Sequence, residues 1–582
     1  MSDKPTVEKA LLYAAEAPSP EQKARFIRFL SGRKGAPVEL EWVKDDSLGN
    51  GFKLSIGSEI YDWTPEGLLR QFSNMLDSVK AGENEDVISL VRENIRNWKP
   101  EVRADEVGKV LFAGDGIAVV SDLERVTYGE IVQFECGVKG MVQDLRRGET
   151  GVILFGDDSD IEDYSLVYRT GKTAGIPVGD AFVGRVINAL GEPVDGKGDI
   201  IADGYRAIES PAPGIVDRQP VDRPMETGLL TIDSMFPIGR GQRELIIGDR
   251  QTGKTSIAVD TILNQKGKNV ICIYVAIGQK SSSIAQLVQN LTVKGAMDYT
   301  IVLNASASET APIQYIAPYS GTALGEYFMN NGRDVLIVYD DLSKHAIAYR
   351  ALSLLLERSP GREAYPGDVF YLHSRLLERS AHLSDEKGGG SMTALPIVET
   401  QAGDVSAYIP TNIISITDGQ IFLESDLFFA GQRPAVNVGL SVSRVGGAAQ
   451  TKAMKKASGG LRLGLAQYRE MEVFTQFASD LDDATKRQLS YGQGLMRILR
   501  QPTNSPFSQH EQVITLVFAI DHGYQNVPLE KIPSVNSEVL AYFEDMYPEL
   551  CSRIDREGVI TDEDIETIKM EARGFVESRE DM

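Results

Sequence analysis

Hydrophobic and polar positions change their period several times along the chain, and each change marks an element. Val38, Leu40 and Trp42 alternate with polar residues, as do Phe52, Leu54 and Ile56 beyond Gly49-Asn50-Gly51, a pattern that predicts a hairpin. Thr64-Pro65-Glu66 then opens a helix with Thr64 as N-cap, and its apolar stripe is Leu68, Leu69, Phe72, Met75, Leu76 and Val79. A linker from Asn84 leads into a second amphipathic helix ending near Trp98-Lys99-Pro100.

From Val107 to about Arg206 short alternating strands are punctuated by Gly114, Gly116, Gly129, Gly137, Gly140 and Gly151, which predicts a small β-barrel. From Thr227 to about Gly446 the apolar runs Glu244–Ile247, Val270–Ala276 and Val335–Tyr339 alternate with helical segments, the pattern of a parallel α/β sheet. Beyond Gln450 strand signals vanish. Leu461, Leu463, Leu465, Phe474, Phe477, Leu481 and Leu489 among polar residues predict a helical bundle. The division expected is 1–84 for an N-terminal extension, 85–105 for a linker helix, 106–206 for the barrel, 207–446 for the α/β domain and 447–582 for the helical domain.

Composition narrows the partners. A chain of 582 residues exceeds what one core supports, while 42% apolar and 25% charged residues are ordinary for globular domains. The net charge of −23 repels a phosphate backbone, and no Lys/Arg run offsets it, so nucleic acid is not expected as a partner. Cys136, Cys272 and Cys551 are too sparse for a disulfide framework or metal spacing and fit a reducing compartment. Met1 to Ala17 lacks a basic start and a long apolar run, and no stretch reaches eighteen apolar residues, so membrane association is expected only through partner proteins.

The strongest chemical signal is Gly248-Asp249-Arg250-Gln251-Thr252-Gly253-Lys254-Thr255, set between the apolar run Leu245-Ile246-Ile247 and the helical run Ser256–Leu263. A glycine-bounded loop lets backbone N–H groups converge on phosphate at a helix N-terminus, Lys254 adds charge at the β/γ oxygens, and Thr255 places a hydroxyl on Mg²⁺. Such a site also needs a carboxylate at the end of a neighbouring buried strand. Val335-Leu336-Ile337-Val338-Tyr339-Asp340-Asp341 supplies Asp340 for the Mg²⁺ shell, with Asp341 orienting neighbours. The cofactors expected are ATP and Mg²⁺.

The run Gly239-Arg240-Gly241-Gln242-Arg243-Glu244 through Thr255 resembles the alpha subunits of F-type ATP synthases. Ser359-Pro360-Gly361-Arg362-Glu363-Ala364-Tyr365 through Arg379, and Pro434-Ala435-Val436-Asn437 through Gly446, carry the same resemblance, which runs from about Ile88 to about Ser537. It implies a β-barrel, a central RecA-like P-loop α/β domain and a C-terminal helical bundle. It also implies three alpha and three beta subunits alternating in a ring around a gamma shaft, with delta and b forming the peripheral stalk, on the cytoplasmic face of a bacterial-type plasma membrane.

In the catalytic beta subunits a Glu follows the Gly at the end of the strand after the P-loop helix; here Ala276-Ile277-Gly278-Gln279-Lys280 stands in that place. Gln279 hydrogen-bonds but accepts no proton, although a Gln alone is no proof of inactivity, because small GTPases position water with one. The resemblance implies that Arg444 reaches the γ-phosphate bound on a neighbouring beta subunit, with Ser441 and Ser443 helping to place it. It puts Arg433-Pro434 and two glutamines near the base; this chain keeps the first as Gln501 but has Thr503 at the second, with Pro502 between.

Some 85 residues precede the usual alpha start. Val38–Asp62 resembles the C-terminal hairpin segment of the delta subunit, so the extension is read either as a delta-like module contacting the stalk or as an accessory domain. Two rival readings of the whole chain make different demands on it. A catalytic hexameric ATPase, secretion-type or beta-like, would carry Glu at position 279. A Rho-like RNA translocase would carry a basic, aromatic-rich N-domain.

Overall fold

The computed structural model describes residues 7–49, 51–69, 71, 105–475 and 483–578. The chain divides into two compact units, one comprising Met1–Gly175, Asp203–Glu209 and Ala351–Arg358, the other Ile176–Ala202, Ser210–Arg350 and Ser359–Met582.

The first unit begins with four strands, β1 (Glu8–Ala14), β2 (Val38–Lys44), β3 (Phe52–Ile56) and β4 (Glu59–Asp62). The expected hairpin between β2 and β3 does not form. β1 lies between them, parallel to β2 and antiparallel to β3. A parallel pair needs a crossover, and the helix Pro20–Lys34 provides it. Ser19 and Gln22 form its capping box, and Gly35 at φ 69° ends it. The hairpin that does form is β3–β4, pairing Ile56 with Glu59. Ala10, Leu12, Leu30, Val38, Leu40, Leu54, Ile56 and Tyr61 make the core. Thr64 caps the next helix as expected, accepting from the Gly67 amide at 3.1 Å. Phe72, Met75, Leu76 and Val79, and the linker helix, lie outside the described residues.

β4 continues this sheet into the barrel by pairing Glu59 with Glu106 and Ile60 with Asp105. The barrel strands are β5 (Asp105–Gly114), β6 (Ile117–Ser121), β7 (Glu130–Phe134), β8 (Lys139–Arg146), β9 (Glu149–Leu154) and β10 (Leu166–Thr173). Their order is β10-β7-β8-β9-β6-β5, and pairing of β10 with β5 closes the barrel. Gly116, Gly129 and Gly137 sit in turns at positive φ, but Gly140 and Gly151 lie inside strands. A Cβ on Gly140 would fall 2.5 Å from Val152 Cγ1, so close packing rather than a turn selects glycine there.

Short strands β11 (Gly175–Val178), β12 (Val186–Asn188) and β13 (Gly204–Ala207) come next along the chain, and β12 is an edge of the second unit's main sheet. That sheet contains β14 (Leu245–Gly248), β15 (Val270–Ile277), β16 (Thr300–Ala305), β17 (Asp334–Asp340), β18 (Ser391–Glu399), β19 (Gly419–Leu423) and β20 (Val442–Ser443), in the order β12-β16-β15-β17-β18-β14-β19-β20. All its pairs are parallel except β19–β20. The Asp340 strand is therefore not the immediate neighbour of the P-loop strand. β18 stands between them, because hydrophobic runs identify strands without ordering them.

Among the described residues, seven helices follow between Lys452 and Glu577. Leu461 and Leu465 are buried in a core shared with the sheet, whereas Leu463 is 65% exposed, off the buried face by helical geometry. The side chain of Phe474, and Phe477 and Leu481, lie outside the described residues. Cys136, Cys272 and Cys551 are all free. No described helix is long and apolar enough to cross a membrane.

Candidate functional site

The candidate phosphate site is built on loops that follow the strands of the α/β sheet, and β14 delivers the first of them. Its strand stops at Gly248, where a Cβ would lie 2.6 Å from the Leu423 carbonyl, and the helix Lys254–Leu263 starts behind Gly253 at φ 95°. Only glycine enters that left-handed region without strain, and this lets the loop's amides face inward at a helix N-terminus.

Each loop side chain has a task. Lys254 Nζ donates to the Gly248 carbonyl at 2.8 Å and to the Asp249 carbonyl. Burial lowers its proton affinity, while Glu399, Asp341, Asp340 and Asp249 hold it up. Asp249 resists a burial penalty through hydrogen bonds from Thr400 Oγ1 at 2.6 Å, the Gly403 amide at 2.9 Å and Ser425 Oγ at 3.1 Å, so its carboxyl stays below the usual range. Thr252 Oγ1 donates back to the Asp249 carbonyl at 2.9 Å, and Gln251 holds φ at 61°. Arg250 pairs with Glu399 at 2.5 Å.

Asp340 reaches this loop across the intervening strand. Its Oδ2 accepts from Thr255 Oγ1 at 2.7 Å and from the buried Tyr274 hydroxyl. A hydroxyl and one carboxylate, with the remaining ligands left to water and phosphate, are what a small hard divalent cation takes. The Thr255 hydroxyl bonded to the Asp340 carboxylate is a donor set compatible with such a cation shared with a polyphosphate.

Gln279 lies at the end of β15 and its Nε2 donates to the Asp340 carbonyl at 3.1 Å. Two further carboxylates are near, and both are engaged. Glu399 holds Arg250, and Asp341 accepts the Lys344 amide at 2.7 Å. Burial, then Asp340, pushes the Asp341 carboxyl up to about 7. Neither motif nor spacing marks Glu399, Tyr274, Thr400 or Ser425 for this site. Glu399 was accessible in principle as the acid ending an apolar run in a parallel sheet, where ligand sites gather.

Around the expected base position, the Arg433 guanidinium stacks over the Phe428 ring at 4.5 Å from its centroid, and its carbonyl accepts the Gln501 amide at 2.8 Å. The Gln501 side chain is committed to backbone: Oε1 accepts from Leu230 N at 2.6 Å, and Nε2 donates to the Gly228 carbonyl at 3.0 Å. Thr503 is exposed, and Pro434 follows Arg433 through a cis peptide bond.

Arg444 stands apart from the loop. It is exposed just beyond β20, two strands from β14, and its amide donates to the Asp418 carbonyl at 2.9 Å. Ser441 and Ser443 fix the backbone on its N-terminal side: Ser441 Oγ accepts from Phe422 N at 3.0 Å, and Ser443 Oγ donates to the Pro237 carbonyl at 2.7 Å.

Most of the chain matches known families and proteins. Residues 104–171 match the ATP synthase alpha/beta family, beta-barrel domain; 228–443 match its nucleotide-binding domain; 450–575 match the ATP synthase alpha/beta chain, C terminal domain. The chain is similar to the ATP synthase subunit alpha of Acetivibrio thermocellus, 58% identical over 492 residues, covering 84% of this chain and 97% of that protein. It is 58% identical over 485 residues to that of Caldanaerobacter subterraneus subsp. tengcongensis, covering 83% and 96%. It is 57% identical over 479 residues to that of Clostridium botulinum, covering 82% and 95%.

Proposed function

The chain belongs to the ATP synthase alpha/beta family, on the alpha side, and from that premise we propose that it grips Mg-ATP at residues 248–255 without turning it over and lends Arg444 to a neighbouring beta subunit's catalytic site. As an alpha subunit it binds nucleotide and is a peripheral part of an ATP synthase complex with beta and other subunits.

The observation that carries the proposal is Gln279. At the strand end where a hydrolytic pocket needs a proton acceptor, an amide donates to the Asp340 carbonyl instead. The nearby carboxylates are already bonded to Arg250 and to the Lys344 amide. Mg²⁺, when bound, neutralises charge on the β- and γ-phosphates. Thr255 and Asp340 hold its shell, Lys254 and the loop amides hold the phosphates, and Arg433 and Gln501 border the base. The exposure of Arg444 at the sheet edge, two strands from the phosphate loop, supports reading it as serving another chain's nucleotide. A guanidinium supplied in trans accelerates phosphoryl transfer by about 10³–10⁵.

The assembly we propose alternates three such chains with three beta subunits around gamma, with delta and b attaching the stator, at the cytoplasmic face of the plasma membrane, coupled to protons or sodium. The N-terminal module contributes to stator attachment in this reading, supported by the delta-like run Val38–Asp62. Deleting residues 1–80 then leaves ring assembly intact and weakens ion-coupled synthesis in vesicles; unchanged synthesis refutes it.

The decisive assay compares ATP hydrolysis by the isolated chain and by its complex with beta, with and without Arg444→Ala. The isolated chain is expected to bind ATP and hydrolyse almost none, and the variant complex to lose turnover while this chain still binds nucleotide. Robust turnover by the isolated chain would assign it instead to the catalytic hexameric ATPases.

A further inference from the structure

The phosphate loop has a rim beside it whose amides are already occupied. The Phe428 ring packs on the loop, since a Cβ on Gly253 would fall 3.7 Å from Phe428 Cε2. Ser425, three positions earlier on the helix Ser425–Phe429, donates to Asp249 at 3.1 Å from the same face. Arg433 lays its guanidinium over the ring, 4.5 Å from the centroid. The loop carrying Arg500 and Gln501 reaches this rim and is pinned to the helix behind the phosphate loop. Asn504, at φ 61°, donates its amide to Asp260 Oδ1 at 2.7 Å, and its own Oδ1 accepts from Asn290 Nδ2 at 2.8 Å.

A 6-amino purine differs from a 6-oxo purine at one edge, where the amino group donates and the oxo group accepts. Reading the amino group takes an acceptor. Gln501 and Gln432 are both buried, and their side-chain oxygens are taken: Gln501 Oε1 by Leu230 N at 2.6 Å, Gln432 Oε1 by Arg500 Nε at 3.0 Å. The Arg433 carbonyl accepts the Gln501 amide at 2.8 Å. Asp426 lies two positions before Phe428, off the helix face that carries the ring. Between 425 and 433 and between 500 and 503, the other exposed polar side chains are Arg433, Arg500 and Thr503. Guanidinium groups only donate, and a hydroxyl does either.

We infer that this chain's nucleotide site takes 6-oxo purine nucleoside triphosphates as readily as 6-amino ones. Gln501 is a strut, tying Arg433 to the Leu230 amide and the Gly228 carbonyl, and does not read the base. The purine edge meets donors and a hydroxyl, so the substrate class is wider than ATP. This rests on the reading of residues 248–255 as a phosphate site with Arg433 bordering the base.

Titration of the isolated chain with ATP and with ITP at saturating magnesium tests it. ITP differs from ATP only in its oxo group and protonated N1, without the extra amino group of guanine. The two Kd values are expected to lie within about threefold of each other, whereas a site built to bind the amino group separates them far more widely. ATP bound more than about threefold tighter than ITP overturns the inference. Gln501→Ala is expected to weaken both nucleotides by the same factor; a selective loss of ATP makes Gln501 a reader of the base and also overturns it. Arg433→Ala is expected to weaken both about fivefold and inorganic tripolyphosphate hardly at all, and unchanged nucleotide affinities overturn the placement of the base. If neither nucleotide binds, or if Lys254→Ala leaves ATP binding unchanged, the phosphate-site reading itself fails and this inference falls with it.

Discussion

Replacing Lys254 by alanine probes the phosphate site where its electrostatics are most measurable. The ammonium donates to the Gly248 and Asp249 carbonyls and is supported by Glu399, Asp341, Asp340 and Asp249 against its own burial. Truncation deletes a charged donor and leaves four carboxyl groups facing a polyphosphate. A hydrogen bond to an ionised partner contributes about 1.5–3 kcal/mol, and two from one ammonium, less its lost hydration, come to about 3 kcal/mol. At 1.4 kcal/mol per decade that is about 100-fold in Kd. Equilibrium titration of the isolated chain with ATP at fixed saturating magnesium measures it, and Lys254→Gln, which keeps a donor without charge, should fall between. An alanine variant within about threefold of wild type would refute the assignment of this loop to phosphate. Assembled with beta, the same variant should keep its initial turnover. Its loss in an intact ring would refute the separation of binding here from chemistry next door.

Asp340→Asn should weaken ATP binding about tenfold in magnesium and little in its absence, a difference read by titration with and without a chelator. Arg379 and Glu326 form a buried pair at 2.7 Å with side chains 1% and 3% exposed, so Arg379→Met should destabilise by about 3–5 kcal/mol, and adding Glu326→Leu should recover much of that in denaturant unfolding. Burial raises the Asp260 carboxyl to about 6, against the Asn504 amide and Lys294. Because its folded value lies above the unfolded one, its contribution to stability is best below about pH 4 and declines as pH climbs through 6. Asp260→Asn should abolish that decline, seen as a flatter dependence of the unfolding midpoint on pH relative to wild type.

The phosphate loop was legible because its chemistry is local. Apolar β-branched residues before Gly248, two glycines and a helix after Lys254 all lie within about twenty positions, and the structure assembles them as read. Asp340 was found for the same reason, as the acid ending an apolar run. What surrounds them was not legible, because Tyr274, Glu399, Thr400 and Ser425 meet the site through sheet order, which periodicity does not encode. The N-terminal module shows the same limit. Alternation correctly marked Val38–Lys44 and Phe52–Ile56 as strands but not their partner. Glu8–Ala14, rich in Ala and Leu and without a β-branched residue, carries no strand signal of its own and is drawn into the sheet by its neighbours on both sides.

The seam between that module and the barrel is short. Among the described residues, β4 and β5 pair through Glu59–Glu106 and Ile60–Asp105 alone, with one further bond from the Val107 amide to the Ser58 carbonyl at 2.9 Å. Each side has its own apolar interior, so tension applied to the module meets its weakest link at this handful of backbone bonds, each contributing only about 1 kcal/mol, and at the ion pair of the exposed Arg125 with Glu59 at 3.7 Å. Under load the joint would unzip while both bodies stay folded, and re-form when the pull relaxes: a mechanical fuse rather than a weld.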